Sequence, residues 1–281
     1  MKVCTKIADF RRQIAPFRVA GETVGLVTTM GALHEGHLAL VAAAKAQTAR
    51  VVTTIFVNPT QFGDPKDLES YPRDDAGDLG KFEDAGVDAV FMPSVDEMYP
   101  KGDETIVETT RLANMLHGKV RPGHFRGVAT VVTKLLNIAQ PDAAYFGEKD
   151  WQQLQVIKRM VRDLHMPVRI IGVPTKREAD GLAMSSRNQR LGPDDRAAAI
   201  VLSQALDKAE AAARKKATVS EIESLLRGTI NGEPRASLRA VDIVWTDTLE
   251  RAQGPLTRRA ALLVSAEFGG VLLIDQREIA P

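Results

Sequence analysis

Residues 23–29 and 50–57 (RVVTTIFV) are apolar, β-branched runs, and between them residues 33–49 place apolar side chains at a helical period. A glycine, Gly31, sits where the first run gives way to the periodic stretch. Strand, turn, helix and strand within residues 23–57 make a βαβ unit, whose two strands run parallel and whose sheet must be covered on both faces. The alternation continues, with strands expected at 89–92, 106–109, 143–146 and 168–173 and helices at 75–85, 127–139 and 151–164. The texture changes after Pro174, where two helices (193–215 and 219–229) precede three clustered strands (238–245, 260–266 and 270–275). The expected architecture is therefore an α/β domain over residues 1–174 and a smaller C-terminal α+β domain over 175–281.

Composition narrows the function. Thirty-seven Lys and Arg against 36 Asp and Glu leave no broad basic field, so nucleic acid is not an expected partner. The single cysteine, Cys4, excludes an intrachain disulfide and a multi-cysteine zinc site. Residues 1–17 carry Lys2, Lys6, Asp9, Arg11 and Arg12 and lack an uninterrupted apolar stretch, which fits neither a signal peptide nor a membrane span. A cytoplasmic enzyme or binding protein for small molecules is the expectation.

Two of the five histidines lie in Met30-Gly31-Ala32-Leu33-His34-Glu35-Gly36-His37, where the first strand meets the first helix. Residues three apart share a helix face, and unpaired N–H groups at a helix start favour a phosphate, so His34 and His37 suit charge developing on phosphorus. Zinc is the rival, but a zinc helix spaces its histidines four apart. Ordinary surface or capping histidines are the plainer alternative. A second segment, Met184-Ser185-Ser186-Arg187, sets two hydroxyls beside a guanidinium, a donor set for polyphosphate or a simple helix-capping turn. In the third, Gly147-Glu148-Lys149-Asp150 follows the strand at 143–146, at the edge where open α/β sheets bind ligands; a solvated helix start is the alternative. Asn58-Pro59-Thr60-Gln61 ends the second strand at the same edge, and its neutral amides suit a hydroxy acid without quenching a nucleophilic carboxylate.

Taken in order, M-G-A-L-H-E-G-H, F-V-N-P-T-Q-F, Y-P-R, P-G-H-F-R-G-V, F-G-E-K-D-W-Q-Q and A-D-G-L-A-M-S-S-R-N closely resemble the pantothenate synthetase family over nearly the whole chain. His-x-Gly-His with a later serine-containing loop marks the wider nucleotidyltransferase superfamily. The resemblance implies a Rossmann-like nucleotide-binding domain with a C-terminal lid. It also implies an ATP-dependent reaction in which pantoate becomes an adenylate and is then captured by β-alanine. Met30, Gly31, His34, His37, Gly147, Lys149, Asp150, Lys176, Met184, Ser185, Ser186 and Arg187 would bind ATP, with His34 and His37 catalytic and His37 at the position assigned as proton donor. Gln61, Gln153, Asn58 and Tyr71 would hold pantoate and β-alanine, Asn58 near the incoming amine. Mg2+ would ride on the β- and γ-phosphates, with Asp78 the matching carboxylate through water. Arg121 and His124 match the P-G-H-F segment, as subunit contacts or as support for the pocket. A homodimer is the family expectation, and another adenylyl transferase or a non-catalytic nucleotide-binding regulator are the other readings of the same motifs.

Overall fold

The computed structural model describes residues 1–63 and 65–281. The chain divides into two compact units, Met1–Pro174 and Thr175–Pro281. In the first, strands β1 (Lys2–Cys4), β2 (Val24–Thr29), β3 (Arg50–Ile55), β4 (Ala89–Phe91), β5 (Ala143–Gly147) and β6 (Arg169–Val173) form one parallel sheet in the order β1-β4-β3-β2-β5-β6. Helices α1 (Ile7–Val19), α2 (Glu35–Lys45), α3 (Pro65–Glu69), α4 (Asp75–Asp84), α5 (Val95–Met98), α6 (His117–Val120), α7 (His124–Ala139) and α8 (Trp151–Asp163) connect them.

Successive strand residues face opposite sides, so the near-continuous apolar runs demand cover on both. Leu40, Val41 and Ala44 of α2 and Phe82 of α4 pack with Val27, Val51, Val90 and Tyr145 on one side. On the other, Phe10 of α1 stacks on Phe91 of β4, ring centroids 5.0 Å apart, and α7 turns an apolar stripe that includes Val128, Val132 and Leu135 inward. The chain leaves β2 toward β3 and β4 on one flank and toward β5 and β6 on the other. The topological switch point therefore lies between β2 and β5, where open α/β sheets bind ligands beyond the strands' carboxyl ends.

In the second unit, α9 (Pro193–Ala198), α10 (Val201–Arg214) and α11 (Val219–Asn231) precede an antiparallel sheet β7-β8-β9 (Ser237–Trp245, Ala260–Phe268, Val271–Ile279). Leu202, Leu206, Ile222 and Leu226 of α10 and α11 share a core with Ile243, Leu262, Val264 and Leu273.

Two expectations are corrected, and one strand is added. Residues 106–109 form no strand, and Val107 N–H instead donates to Thr130 Oγ1 of α7 at 3.1 Å, whose own hydrogen goes to Arg126 C=O at 2.9 Å or Val107 C=O at 3.2 Å. The expected helix 193–215 is two helices, broken between Ala198 and Val201. The polar N-terminus supplies an edge strand, with Lys2, Val3 and Cys4 in register with Ala89, Val90 and Phe91.

Candidate active site

Three neighbouring strands, β3, β2 and β5, deliver three of the predicted segments to one edge of the sheet. At the end of β2 the chain turns through two left-handed residues, Gly31 (φ +86°) and Ala32 (φ +52°). Gly31 is required here: a β-carbon would lie 3.0 Å from Asp78 Oδ2 and 3.3 Å from Ile55. Ala32 sits in the same region at a cost of about 1–2 kcal/mol.

Asp78 holds this turn. Its carboxylate is fully buried and accepts Ala32 N–H at 2.7 Å and Leu33 N–H at 2.8 Å. Lys81, one helical turn further along α4, lies 3.7 Å from the carboxylate and donates to Leu33 C=O at 2.9 Å. Both carboxylate oxygens are engaged by backbone, so Asp78 anchors the loop. Among the described residues, no group of three or more His, Cys, Asp or Glu is arranged to hold a metal ion.

The turn delivers His34 to the N-cap of α2 (φ −134°, ψ 174°) and His37 to its third position. His34 Nδ1 accepts Gly36 N–H at 3.1 Å, while His37 Nδ1 accepts His34 N–H at 3.3 Å, a reciprocal cap of the kind serine and glutamate usually build. The two rings tilt together with centroids 4.1 Å apart. An Nδ1 that accepts carries no proton, so each neutral ring bears its hydrogen on Nε2. Burial, then the charge of His34, pushes the His37 pKa down to about 3, with Lys149 and Lys81 adding to the effect and Asp150 opposing it. His37 is therefore uncharged at neutral pH and offers Nε2–H as a hydrogen-bond donor. The influence of Lys149 and Asp150 on it places the turn after β5 beside the histidine pair.

At the end of β3, Asn58 caps the turn Pro59–Gln61. Its Nδ2 donates to Gln61 Oε1 at 3.1 Å and to Gly127 C=O at 3.2 Å, and its Oδ1 accepts from Tyr99 Oη at 2.8 Å. Asn58 is buried, with 1% of its surface exposed, and braces the turn. Gln61 Nε2 donates to Met30 Sδ at 3.2 Å, which joins the β3 and β2 segments. His124 Nδ1 lies 2.8 Å from Gln61 C=O, so it supports this turn from α7. Tyr71 meets Phe62 edge-on, ring centroids 5.8 Å apart. In α8, Gln152 is buried and staples the 112–117 segment, donating to Leu112 and Met115 C=O at 3.0 and 2.7 Å and accepting His117 N–H at 3.1 Å. Gln153, the predicted acid ligand, is only half-buried beside it.

Lys176 and Met184–Arg187 belong to the second unit. Arg177 and Ala183 pair as an antiparallel bridge, and Met184 N–H donates to Lys176 C=O at 2.9 Å. Arg177 grips the buried Asp275 of β9 through two bonds of 2.7 and 3.0 Å. Ser185 Oγ accepts Arg187 N–H at 3.3 Å, which leaves its hydroxyl hydrogen for a ligand. Motif reading missed Tyr99, Lys81, Gly127 and the Arg177–Asp275 pair. Only Lys81 left a signal, its i, i+3 spacing from Asp78.

An open parallel sheet with a paired-histidine helix start, a lysine–aspartate turn and neutral amides along the carboxyl edge of its strands fits a nucleotidyltransferase that activates acids. Within that class the chain belongs to the pantoate-beta-alanine ligase family, whose model matches residues 2–278. A pantothenate synthetase of Bartonella tribocorum is 50% identical over 277 residues, covering 98% of this chain and 97% of the relative. One from Sinorhizobium medicae is 50% identical over 282 residues, covering 100% and 97%. The crystal structure of pantothenate synthetase from Thermus thermophilus superposes with a TM-score of 0.95 at 43% identity, covering 100% of both chains. A pantoate-beta-alanine ligase of Francisella tularensis, solved with β,γ-ATP and β-alanine, gives 0.80 at 34% identity, covering 99% of this chain and 97% of its own.

Proposed function

We propose that the chain condenses pantoate with β-alanine at the expense of ATP, giving pantothenate, AMP and pyrophosphate. The pantoate carboxylate attacks the α-phosphorus and pyrophosphate leaves. The β-alanine amine then attacks the acyl carbon of the pantoyl adenylate, and AMP leaves. The observation that carries this reading is the reciprocal His34–His37 cap, because it commits both Nδ1 atoms as acceptors and so sets the hydrogen of a neutral ring on Nε2 at a helix start. Donors fixed before the reaction stabilise the charge on the α-phosphate oxygens without reorganisation. The Francisella relative complexed with β,γ-ATP and β-alanine supports the choice of nucleotide and amine.

Lys149 and Asp150 are assigned to the nucleotide, Asp150 to a ribose hydroxyl, and Lys176, Ser185, Ser186 and Arg187 to the triphosphate on the chemistry of their donors. Gln61, Gln153 and Tyr71 are assigned to pantoate. ATP would enter as its magnesium complex, in which the ion would neutralise β- and γ-phosphate charge, with Asp78 assigned to it through water. A homodimer and a cytoplasmic location belong to the same reading on the family pattern, with sedimentation as the test of the first. No helix among the described residues is long and apolar enough to cross a membrane.

The direct test is AMP release from ATP and Mg2+ with both acids present and each omitted in turn, for wild type and His37→Ala. Dependence on both acids, with loss in the variant, is the expected result. AMP release indifferent to either acid would return the chain to another adenylyl transferase, and none at all to a nucleotide-binding regulator.

A further inference from the structure

The structure assigns Tyr99 and Asn58 a joint positioning role: together they fix which end of the Gln61 amide meets the acid substrate. The polarity starts from a backbone group. Gly127 C=O can only accept, so the Asn58 atom 3.2 Å from it is Nδ2. The other end, Oδ1, accepts from Tyr99 Oη at 2.8 Å, from Thr60 Oγ1 at 3.0 Å and from Thr60 N–H at 3.3 Å. The second Nδ2 hydrogen goes to Gln61 Oε1 at 3.1 Å. Half a turn of the Gln61 amide would set Nε2 against Nδ2, donor against donor.

Gln61 therefore presents Nε2, with Met30 Sδ, a weak acceptor, 3.2 Å away. It meets an acid as a donor to carboxylate or hydroxyl oxygen and not as an acceptor. Asn58 has both amide hydrogens and its oxygen engaged within the protein, so its influence on the substrate passes through Gln61. Tyr99 reaches this turn from the residue after α5, with Lys134 Nζ 4.5 Å above its ring. Lys134 is tied in turn to Asp103 at 2.6 Å and to Met98 C=O at 2.8 Å.

This inference rests on Gln61 contacting pantoate, and a double-mutant cycle separates the two claims. Steady-state KM values for pantoate and ATP are measured for Tyr99→Phe, Gln61→Ala and the double variant. Gln61→Ala raises the pantoate KM roughly tenfold or more, and Tyr99→Phe raises it about fivefold, the worth of one neutral hydrogen bond, with the ATP KM unchanged. In the Gln61→Ala background Tyr99→Phe adds nothing, because no amide is left to orient. An equal Tyr99→Phe effect in both backgrounds, a parallel rise in the ATP KM, or no effect in the Gln61-intact enzyme overturns the positioning role. An unchanged pantoate KM in Gln61→Ala overturns the pantoate contact itself, and the positioning role with it.

Discussion

Replacing Asp78 with asparagine keeps the shape of the side chain and removes one acceptor from the turn that delivers the histidine pair. The native carboxylate takes two charge-assisted bonds, from Ala32 N–H and Leu33 N–H, each worth about 1.5–3 kcal/mol. An amide offers one oxygen to these two donors, so one bond falls to the neutral value of about 1 kcal/mol and the other N–H faces an NH2 group. The summed loss is about 2–5 kcal/mol by these figures, in a turn already carrying the left-handed strain of Ala32. For a unit of this size each kcal/mol moves the melting midpoint by about 2–4 °C, so Asp78→Asn melts roughly 4–20 °C lower. Pantoate-dependent pyrophosphate release falls as well, because His34 and His37 lose their fixed placement. Differential scanning calorimetry and a pyrophosphate-coupled assay at several Mg2+ concentrations measure both effects. An unchanged melting midpoint combined with a raised Mg2+ requirement would refute the anchoring argument and leave Asp78 with the metal alone.

The His37 pKa sets a pH dependence of stability. A group at about 3 when folded and near 6.5 when unfolded binds more protons in the unfolded chain, so stability falls as pH drops from about 6.5 toward 3. The loss at pH 5 is about 2 kcal/mol, and urea unfolding should show it in wild type but not in His37→Gln. Gly127→Ala places a β-carbon 2.4 Å from Thr60 C=O and 2.8 Å from Gln61 Cα, so the 58–61 turn must move; pantoate KM rises more than ATP KM in steady-state kinetics. Asp275→Ala leaves the half-buried Arg177 guanidinium without its partner and costs about 3–5 kcal/mol, seen as a lower unfolding midpoint. It also raises the ATP KM, because Arg177 anchors the segment bearing Lys176.

The sequence by itself determined the parallel sheet and the change of texture at Pro174. Continuous β-branched runs and helical periodicity are local properties, and burial on both faces leaves a run like 50–57 few alternatives. It also supplied the candidate segments, since the residues proposed to handle phosphate lie together in short turns. Only the tertiary structure decided how those side chains are spent. Asn58 and Asp78 are candidate ligands in the sequence because an amide or carboxylate beside a phosphate motif has the right chemistry. Whether it faces a substrate or a backbone N–H depends on partners 45 or more residues away, Ala32 and Leu33 for Asp78 and Gly127 for Asn58. Tyr99, in no motif, enters only because the sheet sets the residue after α5 beside the turn after β3. Hydrogen-bond saturation is a property of the packed site, and no spacing along the chain encodes it.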